Sequence, residues 1–180
     1  MKIVKRILIV IVILVAIPLI IALFTRKDYT VEREVTINKP VGEVFDYVKY
    51  LKNQDTYSVW AKIDPAMKRE YKGTDATPGF VYSWDSQHKD AGQGEQEIKK
   101  VVPGQEVDYE IRFIRPFAGR ADAILRTTPA SGTQTTVKWR FSSSMPYPMN
   151  IMLLMTDMEG MIGKDLQTGL NNLKAILEKQ

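Results

Sequence analysis

The hydrophobic pattern changes period three times along the chain. Ile7 to Phe24 is an unbroken run of 18 apolar residues. As a helix it spans about 27 Å at roughly 1.5 Å per residue, just enough to cross the hydrocarbon of a bilayer. Pro18 bends such a helix at most, because membrane helices tolerate proline. From Tyr29 to Ile37 the period becomes two. Tyr29, Val31, Val35 and Ile37 take one side, and Thr30, Glu32, Glu34 and Thr36 the other, which predicts a half-buried strand. Arg33 falls on the apolar side, which suits a sheet edge. Asn38-Lys39-Pro40 then starts a helix at Val41 with apolar positions Val44, Phe45, Val48 and Leu51. A second short helical or irregular segment runs through Trp60 to Asp64-Pro65.

From Met67 onward turn signals recur about every ten residues, as in an antiparallel meander. The predicted strands are Lys68–Lys72, Phe80–Asp85, Gly94–Val102, Val107–Ile114, Arg120–Thr128 and Thr135–Ser142. Pro78-Gly79, Asp90–Gly92, Pro103-Gly104, Pro116–Gly119 and Pro129–Gly132 separate them. Alternation is clearest where Val107, Tyr109, Ile111 and Phe113 oppose Asp108, Glu110 and Arg112, and where Val137, Trp139 and Phe141 oppose Lys138 and Arg140.

Asn150 to Gln180 reads as one long helix after Pro146 and Pro148, with Asn150 as N-cap. Met155, Ile162, Leu166, Leu170, Leu173 and Leu177 form one stripe at the helical period. Ile151 to Met155 is apolar all round, so that end is expected to be buried on more than one side. Five of the eight methionines lie between Met149 and Met161, and a flexible, polarisable side chain fits irregular surfaces as well as ordinary core. Glu159 interrupts the stripe. A carboxylate there must be paired, hydrogen-bonded or open to a wet cavity; a partner Arg or Lys and a place inside a ligand cavity are both open readings.

The element order is strand, two helices, six strands, long helix. That is an α+β fold: a curved, seven-stranded antiparallel sheet, apolar on one face and solvated on the other, with the terminal helix as the only large apolar surface left to cover it. A strongly curved sheet around one helix often leaves a cavity between them.

Charge sharpens this division. The formal net charge is +4, yet no acidic residue precedes Asp28, whereas Lys2, Lys5, Arg6, Arg26 and Lys27 lie at that end. Removing those five from 25 basic residues leaves 20 against 21 acidic ones. The body is therefore nearly neutral, and no basic strip with interleaved aromatics argues for nucleic acid. The apolar run is longer than a usual signal-peptide core, and no small-x-small cleavage site precedes Thr25, so an uncleaved anchor over 1–28 is expected ahead of a domain over 29–180. The positive-inside rule places the N-terminus in the cytoplasm by a small margin and the domain outside, periplasmic in a Gram-negative cell.

The stretches Val31-Glu32-Arg33, Ile37-Asn38-Lys39-Pro40 with Val44-Phe45-Asp46, Tyr82-Ser83-Trp84-Asp85 and Gly92-Gln93-Gly94-Glu95 resemble the START-like, or helix-grip, superfamily (SRPBCC, polyketide cyclase). So do Pro116-Phe117-Ala118-Gly119, Gly132-Thr133 with Val137-Lys138-Trp139, and Gly163-Lys164-Asp165 with Gly169 to Lys174. The resemblance covers Tyr29 to Lys179 and looks like a membrane-anchored bacterial subgroup. It implies a deep cavity for an apolar small molecule. It does not imply a ligand or a reaction, because the superfamily hosts carriers, receptors, cyclases, hydrolases and chaperone activators.

The chemistry available is narrow. Zero cysteine removes disulfides and thiolate catalysis. The only histidine, His88, sits in a polar hairpin, far from what a Ser–His–acid triad needs. No spacing argues for a metal site, and no cofactor is expected. Gly92-Gln93-Gly94 lacks the following helix of a phosphate loop. Glu95 and Glu97 share a strand face that points to water. A cyclase or dehydratase could work with Glu159 plus Tyr82 or Tyr109. The aromatic set Phe80, Tyr82, Trp84, Tyr109, Phe113, Trp139 and Phe141 fits the concave sheet face. The expected ligand-binding residues are Trp60, Tyr82, Trp84, Tyr109, Phe113, Trp139, Met155 and Glu159, with Phe117 and Tyr147 at the pocket mouth. Three functions follow in order: binding or transport of a hydrophobic, lipid-like molecule at a membrane, a cyclase or dehydratase, and a chaperone-like interaction module. No protein partner is specified.

Overall fold

The computed structural model describes residues 2–179. It begins with a helix, α1 (Lys2–Phe24), long and apolar enough over Ile3–Phe24 to cross a membrane. Nearly all its side chains are exposed, but Ala22 is buried where the helix meets the domain. There follow β1 (Asp28–Ile37), α2 (Val41–Val48), α3 (Gln54–Tyr57), β2 (Lys68–Lys72), β3 (Val81–Asp85), β4 (Gln93–Val102), β5 (Glu106–Arg115), β6 (Gly119–Ser131), β7 (Gln134–Ser144), α4 (Met152–Met155) and α5 (Met158–Leu177). The seven strands form one antiparallel sheet in the order β1-β7-β6-β5-β4-β3-β2.

The period-two segments become strands because each alternates between a dry and a wet face. Val107, Tyr109, Leu125, Val137 and Trp139 point inward and are buried. On the outer face Arg112 donates to Glu95 at 2.7 Å and to Glu97 at 2.8 Å. β6 runs past its predicted end: Pro129 pairs with Thr135, and the register shifts between Pro129 and Ser131. A proline can occupy a strand where a register shift relieves it of its ladder hydrogen bond.

The C-terminal segment departs from one continuous helix. A 3₁₀ turn at Met149–Ile151 leads into the single-turn α4, and Thr156 then breaks the backbone into an extended conformation. Asp157, not Asn150, caps the long helix: its Oδ1 accepts from Gly160 N–H at 2.8 Å. Gln180, the predicted end, lies outside the described residues. α5 runs along β1 from the α1 end of the domain to Asn38, whose backbone N–H donates to Glu178 at 2.7 Å. Leu166, Leu170, Leu173 and Leu177 enter the main core with Val44, Val48 and Leu51. The first stretch is not buried on several sides: Leu153 is buried, but Met152, Leu154 and Met155 are exposed.

Asn150 does something else. Fully buried, it donates from Nδ2 to the carbonyls of Ala22 at 2.7 Å and Thr25 at 2.9 Å. Ala22 O also accepts from Thr25 N–H at 3.4 Å, and the Thr25 carbonyl lies past the last turn, so the amide serves acceptors at a helix end that lacks its full set of helical partners. The same contact fixes α1 to the domain, as does Met145 N–H donating to Lys27 O at 2.8 Å.

Candidate ligand cavity

A cavity of about 310 Å³ lies between the inner sheet face, α3, the loop from Trp60 to Met67 and Ile162 in the first turns of α5. That is the lower end of the roughly 300–1,000 Å³ usual for small-molecule sites. The sheet supplies most of the wall through inward positions of β3 to β7: Tyr82, Trp84, Gln96, Tyr109, Phe113, Trp139 and Phe141. α5 contributes only Ile162, because its lower leucines already fill the core.

The aromatic wall is braced. Trp84 faces Gly94 across the β3–β4 ladder, and a Cβ at Gly94 would come within 2.5 Å of the indole. Only glycine lets that ring lie flat over the strand. Trp84 Nε1–H donates to Ala91 O at 3.0 Å. Trp139 packs edge-on against both Tyr57 and Trp60, and its Nε1–H donates to the Tyr109 hydroxyl at 2.7 Å. Ser86 donates to Asp64, tying the Trp60–Met67 loop to the β3–β4 turn.

Two polar groups interrupt the apolar lining. In the first, Asp55 accepts from Tyr82 at 3.0 Å and from Tyr71 at 3.2 Å, with Arg69 Nε 3.6 Å away. Burial, and then the Asp55 carboxylate, push the Tyr82 phenol well above its ordinary value. In the second, Gln96 Nε2 donates to Gln54 Oε1 at 3.3 Å. The Gln54 side chain also approaches Tyr109, yet its Nε2 meets no acceptor in hydrogen-bond geometry. Burial pushes the Tyr109 phenol far up, while the Trp139 hydrogen bond and then the neighbouring Gln54 amide act in the opposite sense.

Six of the sequence-derived residues meet at this cavity: Trp60, Tyr82, Trp84, Tyr109, Phe113 and Trp139. Met155 and Glu159 do not. Met155 is 84% exposed on α4, because the break at Thr156 takes it out of phase with the α5 stripe. Glu159 pairs with Arg33 at 3.5 Å, its side chain 74% exposed. Arg33 reaches it from the edge strand by crossing Gly163, where a Cβ would collide with the guanidinium. The cyclase or dehydratase reading therefore loses its carboxylate from the interior. Phe117 and Tyr147 lie at the same end of the sheet as the His88 turn, since Gln93 pairs with Arg115 and Ala121 with Ser143. Both are exposed, and neither lines the cavity. Phe80 of the aromatic set is buried in the core instead.

The sequence reading missed Gln54, Asp55, Gln96 and Ile162. Gln96 was findable: it shares the inward parity of Gly94 and Ile98. Gln54 and Asp55 lie in a four-residue helix with no period to show its inner face. Among the described residues, no group of three or more His, Cys, Asp or Glu could hold a metal ion.

Comparison with known proteins fits this architecture. The family model described as polyketide cyclase / dehydrase and lipid transport matches residues 28–178. The chain belongs to this family. No curated protein matches it. Solved structures share its fold at low identity. Norcoclaurine synthase from Thalictrum flavum is 8% identical over 88% of this chain and 91% of its own, with a TM-score of 0.63. The di-domain ARO/CYC StfQ of the steffimycin biosynthetic pathway is 11% identical over 85% of this chain and 51% of its own, at 0.62. Ara h 8.0201 is 16% identical over 85% and 99%, at 0.56.

Proposed function

We propose that this family member is a membrane-anchored binder or carrier of a small hydrophobic molecule, lodged in the cavity and contacted by Trp60, Tyr82, Trp84, Tyr109, Phe113 and Trp139. The observation that carries the reading is the cavity itself, about 310 Å³ and walled by all three tryptophans of the chain. An interaction module working through its outer face would have a filled interior. The volume suits one ring system or a single short chain rather than a whole two-chain phospholipid.

The anchor is α1, with residues 1–28 as the membrane segment and 29–180 as the binding domain. Lys2, Lys5 and Arg6 before the apolar run outnumber Arg26 and Lys27 after it, which favours a cytoplasmic N-terminus and an extracytoplasmic domain. The Asn150 contact to the end of α1 supports a domain held close against the lipid.

The test is extraction. Full-length protein is taken from its membrane into nanodiscs, extracted with organic solvent and compared with empty discs. Wild type is expected to carry an apolar compound in about 1:1 ratio. Ala123→Trp, which fills the cavity from β6, is expected to lose it with an unchanged circular dichroism spectrum. Equal extracts from both proteins, with no lipid in a panel shifting the wild-type Tm, would overturn the reading.

A further inference from the structure

We infer that Gln54 and Tyr109 form a carbonyl-recognition site inside the cavity, so that its ligand is an uncharged apolar molecule carrying one accepting oxygen. This rests on the ligand-binding reading above and adds the chemical class. Gln54 is 6% exposed and lines the cavity. Its oxygen is engaged by Gln96, while its Nε2 finds no acceptor. A buried donor without a partner is a cost to the fold that a bound acceptor removes.

Tyr109 stands beside it. The phenol is 2% exposed and lines the same cavity. Its oxygen accepts from Trp139 Nε1–H at 2.7 Å, which leaves its own hydrogen to donate. Burial keeps that hydrogen on the oxygen at neutral pH. Two adjacent donors with few acceptors between them select an oxygen with two lone pairs. A hydrocarbon leaves both donors unspent, and so does a ligand that only donates. A carboxylate is disfavoured because Asp55 lies on the same wall, and its neighbour Arg69 is already balanced by it at 3.6 Å. A ketone, aldehyde, ester or quinone oxygen satisfies the geometry.

The experiment uses 2-acetylnaphthalene and 2-ethylnaphthalene, which match in shape and differ in the carbonyl. Binding to the full chain in nanodiscs is read from the emission of the three cavity tryptophans. Wild type is expected to prefer the ketone about tenfold or more, as one well-made buried hydrogen-bonding site provides. Gln54→Met and Tyr109→Phe should each shrink that preference to about threefold or less. A wild-type-like circular dichroism spectrum and cooperative thermal unfolding show that the variants are folded. Equal wild-type binding of the two probes, or a preference surviving in both variants, overturns the carbonyl site. Failure of both probes to bind wild type overturns the ligand-binding reading beneath it.

Discussion

At the scale of single residues, the interior is defined by tyrosines whose surroundings oppose ionisation. Tyr57 and Tyr109 are almost completely buried, and burial raises both phenols. Tyr82 is raised by burial and further by the Asp55 carboxylate that accepts a hydrogen bond from its hydroxyl. A group whose folded pKa exceeds its unfolded value adds stability that is complete below the unfolded pKa and is lost as pH rises. For these tyrosines the unfolded value is 10.0. Stability should therefore be unaffected by them up to about pH 9 and fall steeply above about pH 10. Phenolate absorbance should show Tyr57, Tyr82 and Tyr109 still protonated above the ordinary phenol range until the protein unfolds. Ionisation of these three near the ordinary phenol value in the folded protein would mean that the wall is wet.

At the scale of elements, what the sequence reveals is what has a period. β5 and β7 are legible because each alternates strictly, and a strand displaced by one residue would turn its apolar side chains to water. The lower half of α5 is legible for the same reason at 3.6 residues per turn. The join between α4 and α5 is not, because Ile151 to Met155 is apolar all round and hides the change of direction. The signal there was chemical: Thr156-Asp157 ahead of Gly160 is a helix start, since aspartate is a strong N-cap. Reading it would have moved Met155 off the stripe and Glu159 out of the interior. Replacing that cap tests the assignment. Asp157→Ala should cost about 1 kcal/mol, or roughly 2–4 °C in Tm for a domain of this size, measured by thermal unfolding of the full chain. Asn150→Ala, at the position first read as the cap, should instead loosen the join to α1, which a cap does not touch. Most of the cavity wall was legible for the reason the strands were, while its polar end came from α3, too short to carry a pattern.

At the scale of the whole molecule, the exposed apolar side chains are not scattered. Outside α1 the large ones are Tyr50, Tyr71, Ile114, Phe117, Tyr147, Met149, Met152, Leu154, Met155 and Met161. All but the first two belong to the end of the domain from which α1 leaves, as the pairing of Asp28 with Ser144 and of Gln93 with Arg115 requires. Water is a poor neighbour for such a cluster, and contiguous apolar surface of this kind marks a contact. With α1 as the proposed anchor, a bilayer around it would supply one without a further partner, and Arg26 and Lys27 between helix and domain would meet lipid phosphates. The cavity reaches the same end through Tyr29, Phe113, Phe141 and Ile162, so a ligand dissolved in lipid would have a short path inward. The chain contains no cysteine, which makes the arrangement easy to test by placing one labelled thiol at a time. A polarity-sensitive fluorophore at Met155→Cys or Phe117→Cys should emit at shorter wavelength in nanodiscs and be quenched by brominated lipid. The same label at Tyr71→Cys, on the far edge strand, should report water. Equal, water-like emission from all three positions would show that the domain stands clear of the membrane, and ligand would then have to arrive through solvent.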